Sequence, residues 1–397
     1  MPIPLRGSER AYAWGSAQLI PQMLGREPTG DPVAELWFGT HPSAPAVLEP
    51  EDGDPISLET YVSAKPGRVL GSHVQVRFGA ELPFLLKLIA PARPLSLQVH
   101  PDLAQARAGF RREESAGIAR DAPERLYRDP NHKPELVYAL TPFRAVCGFR
   151  TPRRAIELVS GLDVPLAERL RTILTTDPTA EGVRAAVTEL LTPGRVPATA
   201  IDEMVAACAA RAGGGSGSAR ADQIVAELGA AYPGDPGAVT ALLLNPVTLQ
   251  PGEAMFIPAG FVHAYLDGLA VELMASSDNV LRAGLTSKHI DPEALLEILD
   301  CVAAPPVRIA PEIVGTTRTY YAPVEDFELS ITRADFRPVQ VPGYGPRIVL
   351  VIDGDATIRT DDGPELALRC GQAAFIPATE GPVTVHGDGH LAQAAVP

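Results

Sequence analysis

A chain of 397 residues with 46% hydrophobic side chains can bury a sizeable core and divide into two or three domains. Its 48 acidic residues outnumber 34 basic ones, for a net charge of −14, which argues against nucleic acid or an anionic membrane as partner and leaves a small anion possible only where cations cluster locally. The N-terminal MPIPLRGSERAYAWG has no apolar signal core, and no stretch offers the roughly 18 apolar residues of a membrane span. Cys147, Cys208, Cys301 and Cys370 have no CxxC spacing, so free, mostly buried thiols and a cytoplasmic location are expected.

Residues 1 to 60 read as irregular strands and loops, with Trp14 and Trp37 expected in the core and His41 expected to be structural. PFLLKLIA then forms an apolar strand carrying Lys87. After the turn APARP, LSLQVH alternates strictly, so Leu95, Leu97 and Val99 share one face while Ser96, Gln98 and His100 share the other. Three adjacent polar groups on a cleft face are costly without partners, and a metal with an anionic ligand would satisfy them. Residues 102 to 128 read as a surface helix and loop with no chemistry of their own. DPNHKPELVYAL leads from a turn into a strand that places Lys133, Glu135 and Val137 on one side.

At Thr151 the period changes from two to 3.6. Thr151 can cap a helix with Pro152 at its first position, and Val183, Val187, Leu190 and Leu191 form one helical face. The segment is expected to be a helical insertion interrupted by a flexible GGGSGS loop. Strands return before GEAMFIPAGFVHAYLD, residues 252 to 267, where Gly252 supplies a turn, Pro258 and Gly260 end the strand, and His263 opens the next one. Beyond it lie Glu272, Asp278, Arg282 and Lys288; the last is one of only four lysines in the chain. Strand patterns with turns at DGD and DDG fill the remainder. There GQAAFIPA, at 371 to 378, repeats GEAMFIPA, at 252 to 259, and sets Pro382 where His263 would fall. Two related barrels or sandwiches are expected, only the first of which binds metal.

Gln98, His100, Glu135 and His263 together offer two imidazole nitrogens, a carboxylate and an amide oxygen. That set suits Zn²⁺ with a position left open, which is more often catalytic than structural. Gly252, Pro258, Gly260 and His263 match the second cupin motif. PLSLQVHPD, DPNHKPELVYAL, PAGFVHAYL and MASSDNVLRAGLTSKHID, with YAWGS and AELWFGTHP before them, resemble the signature blocks of type I mannose-6-phosphate isomerases. The resemblance covers residues 12 to about 291 and departs at Ser287, where the family usually has proline.

It implies a mainly β protein with an α-helical insertion: a cupin (jelly-roll) catalytic domain at 1–150 and 240–300, a helical domain at 151–239, and a C-terminal cupin-like domain without metal ligands at 301–397. It also implies one zinc ion on Gln98, His100, Glu135 and His263, and a phosphorylated hexose interconverted through a cis-enediol in a monomer that feeds GDP-mannose synthesis. Lys133 and Arg282 match positions near the reacting carbons, and Ser96, Lys87 and Lys288 match phosphate contacts. Glu272, Asp278, His132 and Lys133 all qualify by type as the proton-transfer base, with a network of Lys133 and Asp278 preferred. The rival readings are a metal-dependent cupin oxygenase and a non-catalytic sugar-binding bicupin.

Overall fold

The computed structural model describes residues 1–397 except 52, 215, 216, 361 and 362. Parts of the GGGSGS and DDG segments therefore lie outside the described residues.

Two barrels of antiparallel strands share the chain. In the first, a seven-stranded sheet runs Val307–Ile309, Ala254–Ile257, Glu135–Ala139, Ala270–Ala275, Phe84–Ile89, Glu35–Phe38, Ser8–Arg10. Facing it, a five-stranded sheet runs Leu244–Leu249, Phe143–Phe149, His263–Asp267, Leu97–Val99, Leu281–Gly284. The strands Phe84–Ile89 and Ala270–Ala275 are buried throughout, as near-continuous apolar runs require when both faces of a sheet are covered. One face packs toward the barrel interior, and the other packs against the second barrel in a common core that includes Leu36, Leu86, Leu136, Phe327, Ile348 and Phe375. Because both barrels contribute to that core, their relative position is set by packing density as well as by the chain.

The second barrel repeats the turn of the first. Gly252 and Gly371 stand at φ 90° and 82°, a backbone conformation that glycine adopts without steric cost, and each introduces a four-residue strand, Ala254–Ile257 or Ala373–Ile376. The next strands are His263–Asp267 and Val383–Gly387, so the repeat persists in three dimensions as far as the position of the missing ligand.

The expected boundary at residue 300 is crossed in both directions. Ile3–Arg6 pairs with Ala373–Ile376, bringing Val47–Leu48 and Ile56–Ser57 into the nine-stranded sheet of the second barrel, while Val307–Ile309 pairs with Ala254–Ile257 in the first. Strand pairing of this kind closes sheet edges that a clean cut would leave open. Period and composition carry no mark of it, because an edge strand reads the same whichever sheet it joins.

Helices fill the segment from Pro152 to Thr240. The first begins with Pro152, and the Thr151 hydroxyl accepts from the Arg154 amide. Val183, Val187, Leu190 and Leu191 are all buried on Ala180–Leu191. This layer packs on the outer face of the five-stranded sheet through Leu97, Val99, Ala264 and Leu281, which pins the strands that carry Gln98, His263 and Arg282 from behind. All four cysteines are free, three of them buried and Cys370 half-buried. No described helix is long and apolar enough to cross a membrane.

Candidate metal centre

His100, Glu135 and His263 converge inside the first barrel, their ligand atoms within 4.8 Å of one another. The two sheets deliver them from opposite sides. Glu135 opens the strand opposite Ile257 and Met274, whereas His263 opens the strand opposite Gln98 and Cys147, and His100 follows Leu97–Val99. His100 Nε2 lies 3.2 Å from Glu135 Oε1, and His263 Nε2 lies 3.3 Å from Glu135 Oε2.

The other ring nitrogens define the tautomers. His100 Nδ1 is 2.8 Å from the Asn279 carbonyl and His263 Nδ1 is 3.1 Å from the Phe261 carbonyl. A carbonyl only accepts, so each Nδ1 carries the proton and each Nε2 presents a lone pair to the carboxylate. Burial, and then the Lys133 ammonium, lower the His100 pKa to about 4, which keeps the ring neutral. Burial opposes charge on Glu135, but the Lys133 ammonium outweighs it and holds the carboxyl well below its usual range. Two lone pairs and a carboxylate facing one another repel unless a cation lies among them. His100 Nε2 is indeed buried without a hydrogen-bond partner. The donor set therefore fits a divalent ion of zinc's preferences.

The site opens into a cavity of about 770 Å³. Gln98, Ser96, Lys87, Lys133, Glu272, Asp278, Arg282 and Lys288 all line it. Gln98 is the cross-strand neighbour of His263 on one side and of Arg282 on the other, which brings its amide to the edge of the metal trio. Lys133 forms an ion pair with Glu135. Lys87 Nζ lies 3.1 Å from Glu272 Oε2 and 3.7 Å from Glu35 Oε1; burial opposes its charge, but these carboxylates outweigh burial and raise its pKa. Tyr265 donates to Glu272 Oε1 at 2.9 Å. Burial raises the Glu272 pKa in spite of Lys87. At the mouth, Asp278 is 44% exposed and meets His41 Nε2 at 3.1 Å.

Two family models match this chain: the phosphomannose isomerase type I catalytic domain over residues 3–152 and the mannose-6-phosphate isomerase cupin domain over residues 316–396. Mannose-6-phosphate isomerase of Escherichia coli strain K12 is 39% identical over 396 residues, 98% of each chain. The chain belongs to the type I phosphomannose isomerase family. Mannose-6-phosphate isomerase 1 of Arabidopsis thaliana is 34% identical over 404 residues, covering 94% of this chain and 89% of the relative. A solved Salmonella typhimurium mannose 6-phosphate isomerase, bound to fructose 6-phosphate and zinc, is similar with a TM-score of 0.90 and 37% identity, over 100% of this chain and 99% of the other.

Within this family framework several cavity residues had no signal in the sequence. Arg128 came from a segment read as inert surface. Burial, then Arg128, lower the Arg282 pKa, while Lys288 is lowered by burial, then Arg282 and Arg128, so the three cations share one end of the cavity. His41, read as structural, lines the cavity as Asp278's partner. Trp14 and Trp37 line it as well, although Trp37 is buried and donates to Glu35 Oε2 at 2.8 Å. His132 corrects an expectation in the other direction. It is not among the lining residues, and its Nε2 meets Asp326 Oδ2 at 3.0 Å because the turn before Lys133 points it toward the second barrel.

Asn279 ties these parts together. Its carbonyl receives the His100 proton, its side-chain oxygen accepts from the Arg128 amide at 2.7 Å, and its side-chain nitrogen donates to the carbonyls of Asp129 and Asn131 at 2.8 Å each. One buried amide thus sets both the ligand ring and the loop leading to Lys133. Along the cavity wall, Leu285 has φ 56°, the single non-glycine residue with positive φ among those described, and it precedes the Thr286–Ser287–Lys288 loop. Within that loop the Thr286 hydroxyl accepts from the Lys288 amide at 3.1 Å.

Proposed function

We propose that this chain interconverts mannose 6-phosphate and fructose 6-phosphate, with one zinc ion on Gln98, His100, Glu135 and His263. The buried pair of unprotonated imidazole nitrogens around Glu135, in a cavity that is also lined by the cations Arg128, Arg282 and Lys288, carries this reading. When bound, the ion supplies a Lewis acid that polarises sugar oxygens and helps to hold the chain-form sugar in place.

The chain's own residues do the rest. Lys288 and Ser96 bind the phosphate, with Lys87 as the weakest of the three because its charge is shared with Glu272 and Glu35. With the phosphate anchored there, C1 and C2 fall toward Lys133 and Arg282. The isomerisation removes the C2 proton, passes through a cis-enediol, and returns a proton to C1, while the hydroxyl proton moves from O2 to O1. Negative charge that develops on O1 and O2 is met by Lys133 and Arg282.

The proton is carried by a network of Lys133 and Asp278. Burial raises the Asp278 pKa, but His41 and Lys133 outweigh it and keep the carboxylate ionised, as a base requires. Glu272 is already held by Lys87 and Tyr265, and His132 stands outside the cavity. The same reading places a monomer in the cytoplasm, serving GDP-mannose synthesis, and treats 1–150 with 240–300 as the catalytic unit despite the exchanged edge strands.

Metal analysis of the purified chain together with a coupled assay on mannose 6-phosphate tests the proposal. One zinc per chain and turnover are expected. Bound iron with oxygen uptake would replace the isomerase by an oxygenase, and tight sugar binding without turnover would replace it by a sensor.

A further inference from the structure

A second cavity, of about 270 Å³, lies where the two barrels meet and shares no lining residue with the first. Its wall on the catalytic side is Tyr138, three residues beyond Glu135. Strand alternation turns Tyr138 away from the metal, and it is packed into the common core instead. The other walls come from four adjacent strands of the nine-stranded sheet, Glu312–Val314, Thr317–Tyr320, Glu328–Arg333 and His390–Ala395, and from the turn between the first two.

Register decides which side chains project into it. Arg318 lies opposite Ile331, the Arg333 amide donates to the Thr316 carbonyl, and Arg333 lies opposite His390. With a period of two, Thr316, Arg318, Ile331, Arg333 and His390 therefore share one face. Two guanidinium groups and an imidazole converge there on neighbouring strands.

Among the described residues neither Arg318 nor Arg333 has a carboxylate within ion-pair distance, in a protein whose net charge is −14. His390 Nδ1 lies 3.4 Å from Asp353 Oδ2 and contributes its other ring nitrogen. Like charges on facing strands repel, and a strongly acidic protein has carboxylates to spare for neutralising them. The cavity also holds an unused hydrogen-bonding group. Thr316 Oγ1 is buried without a partner, and Tyr138, a residue 7% exposed, lines the same cavity.

We propose that this cleft is a binding site for a small phosphate-bearing dianion, held by Arg318 and Arg333 with hydrogen bonds from Thr316, Tyr138 and His390. Guanidinium groups offer paired donors matched to phosphate oxygens. The volume, at the lower edge of ordinary ligand pockets, suits phosphate itself or a three-carbon phosphate better than a hexose phosphate. The site stands independently of the isomerase reading, since none of its residues belongs to the catalytic cavity.

Isothermal titration of the zinc-loaded full chain with inorganic phosphate and with glycerol 3-phosphate, each with and without saturating fructose 6-phosphate, tests it. The expected result is a class of sites that fructose 6-phosphate does not displace and that weakens about tenfold or more in Arg318→Gln/Arg333→Gln, with kcat unchanged. Glycerol 3-phosphate binding at least as tightly as phosphate identifies the organic ester as the better ligand; the reverse order identifies the free ion. The proposal is overturned if the native chain has no undisplaced class, or if that class survives in the double variant. Should the glutamine pair misfold, the single variants Arg318→Lys and Arg333→Lys provide the same reading.

Discussion

The first barrel gathers a cation from solution, whereas the second carries one in its own sequence. Glu135 in the first barrel lies opposite Ile257; at the same place in the repeat, opposite Ile376, stands Arg347. The next inward-facing pair follows suit, with Glu272 opposite Val137 and Gln393 opposite Val349. Arg347 is 0% exposed, and its guanidinium donates to the carbonyls of Gly343, Glu380 and Gly381 at 3.1, 3.2 and 2.9 Å. Pro382 follows directly, where His263 would be. Both barrels thus place a positive charge at the same end, one coordinated by acidic and imidazole groups and one covalently attached. At the position of the carboxylate the repeat has a buried guanidinium in place of an acidic ligand.

This comparison can be broken most sharply at His263. His263→Ala should lose zinc and activity together, kcat falling on the order of 1,000-fold, about 4 kcal/mol of transition-state stabilisation, while the second barrel stays folded by circular dichroism. A metal-replete, active variant would remove His263 from the ligand set. Next, Arg347→Met should leave three backbone carbonyls unpaired and lower stability by about 3 kcal/mol in urea unfolding, with zinc content and kcat per folded molecule unchanged. If stability stays within about 0.5 kcal/mol of the native value, Arg347 is not the internal counterpart of the metal.

Arg282→Ala separates charge stabilisation from metal binding inside the first barrel. It should keep its zinc and lose about 100-fold in kcat; a change confined to KM would move Arg282 to phosphate binding. The smallest effect is expected from Pro382→His. Because Arg347 already occupies the place of the carboxylate, metal analysis should still find one zinc per chain, and a second equivalent would show that a single imidazole suffices to restore the site.

The legible parts of this molecule were those with a short repeat. Strict alternation in LSLQVH put Gln98 and His100 on one face, the shared GEAMFIPA and GQAAFIPA turns exposed the duplication, and the 3.6 period from Thr151 marked the helical layer. Arg128, His41 and Tyr138 were silent for one physical reason. Each is an ordinary residue in its own segment, and it becomes part of a site only when a strand or loop distant in sequence is laid beside it. His132 failed conversely: its type suited a base, but the turn that carries it points toward Asp326.

By itself the sequence determined which residue types could coordinate a metal, where the turns fall, and that the second copy lacks a histidine, because these depend on side-chain chemistry and on backbone preferences local to a few residues. Only the tertiary structure decided that Glu135 and Arg347 are counterparts, that the N-terminal strand belongs to the C-terminal sheet, and that Arg318 and Arg333 converge on one cleft. Those facts depend on strand register across gaps of tens to hundreds of residues, and register is set by how whole sheets bury their faces, which no local pattern records.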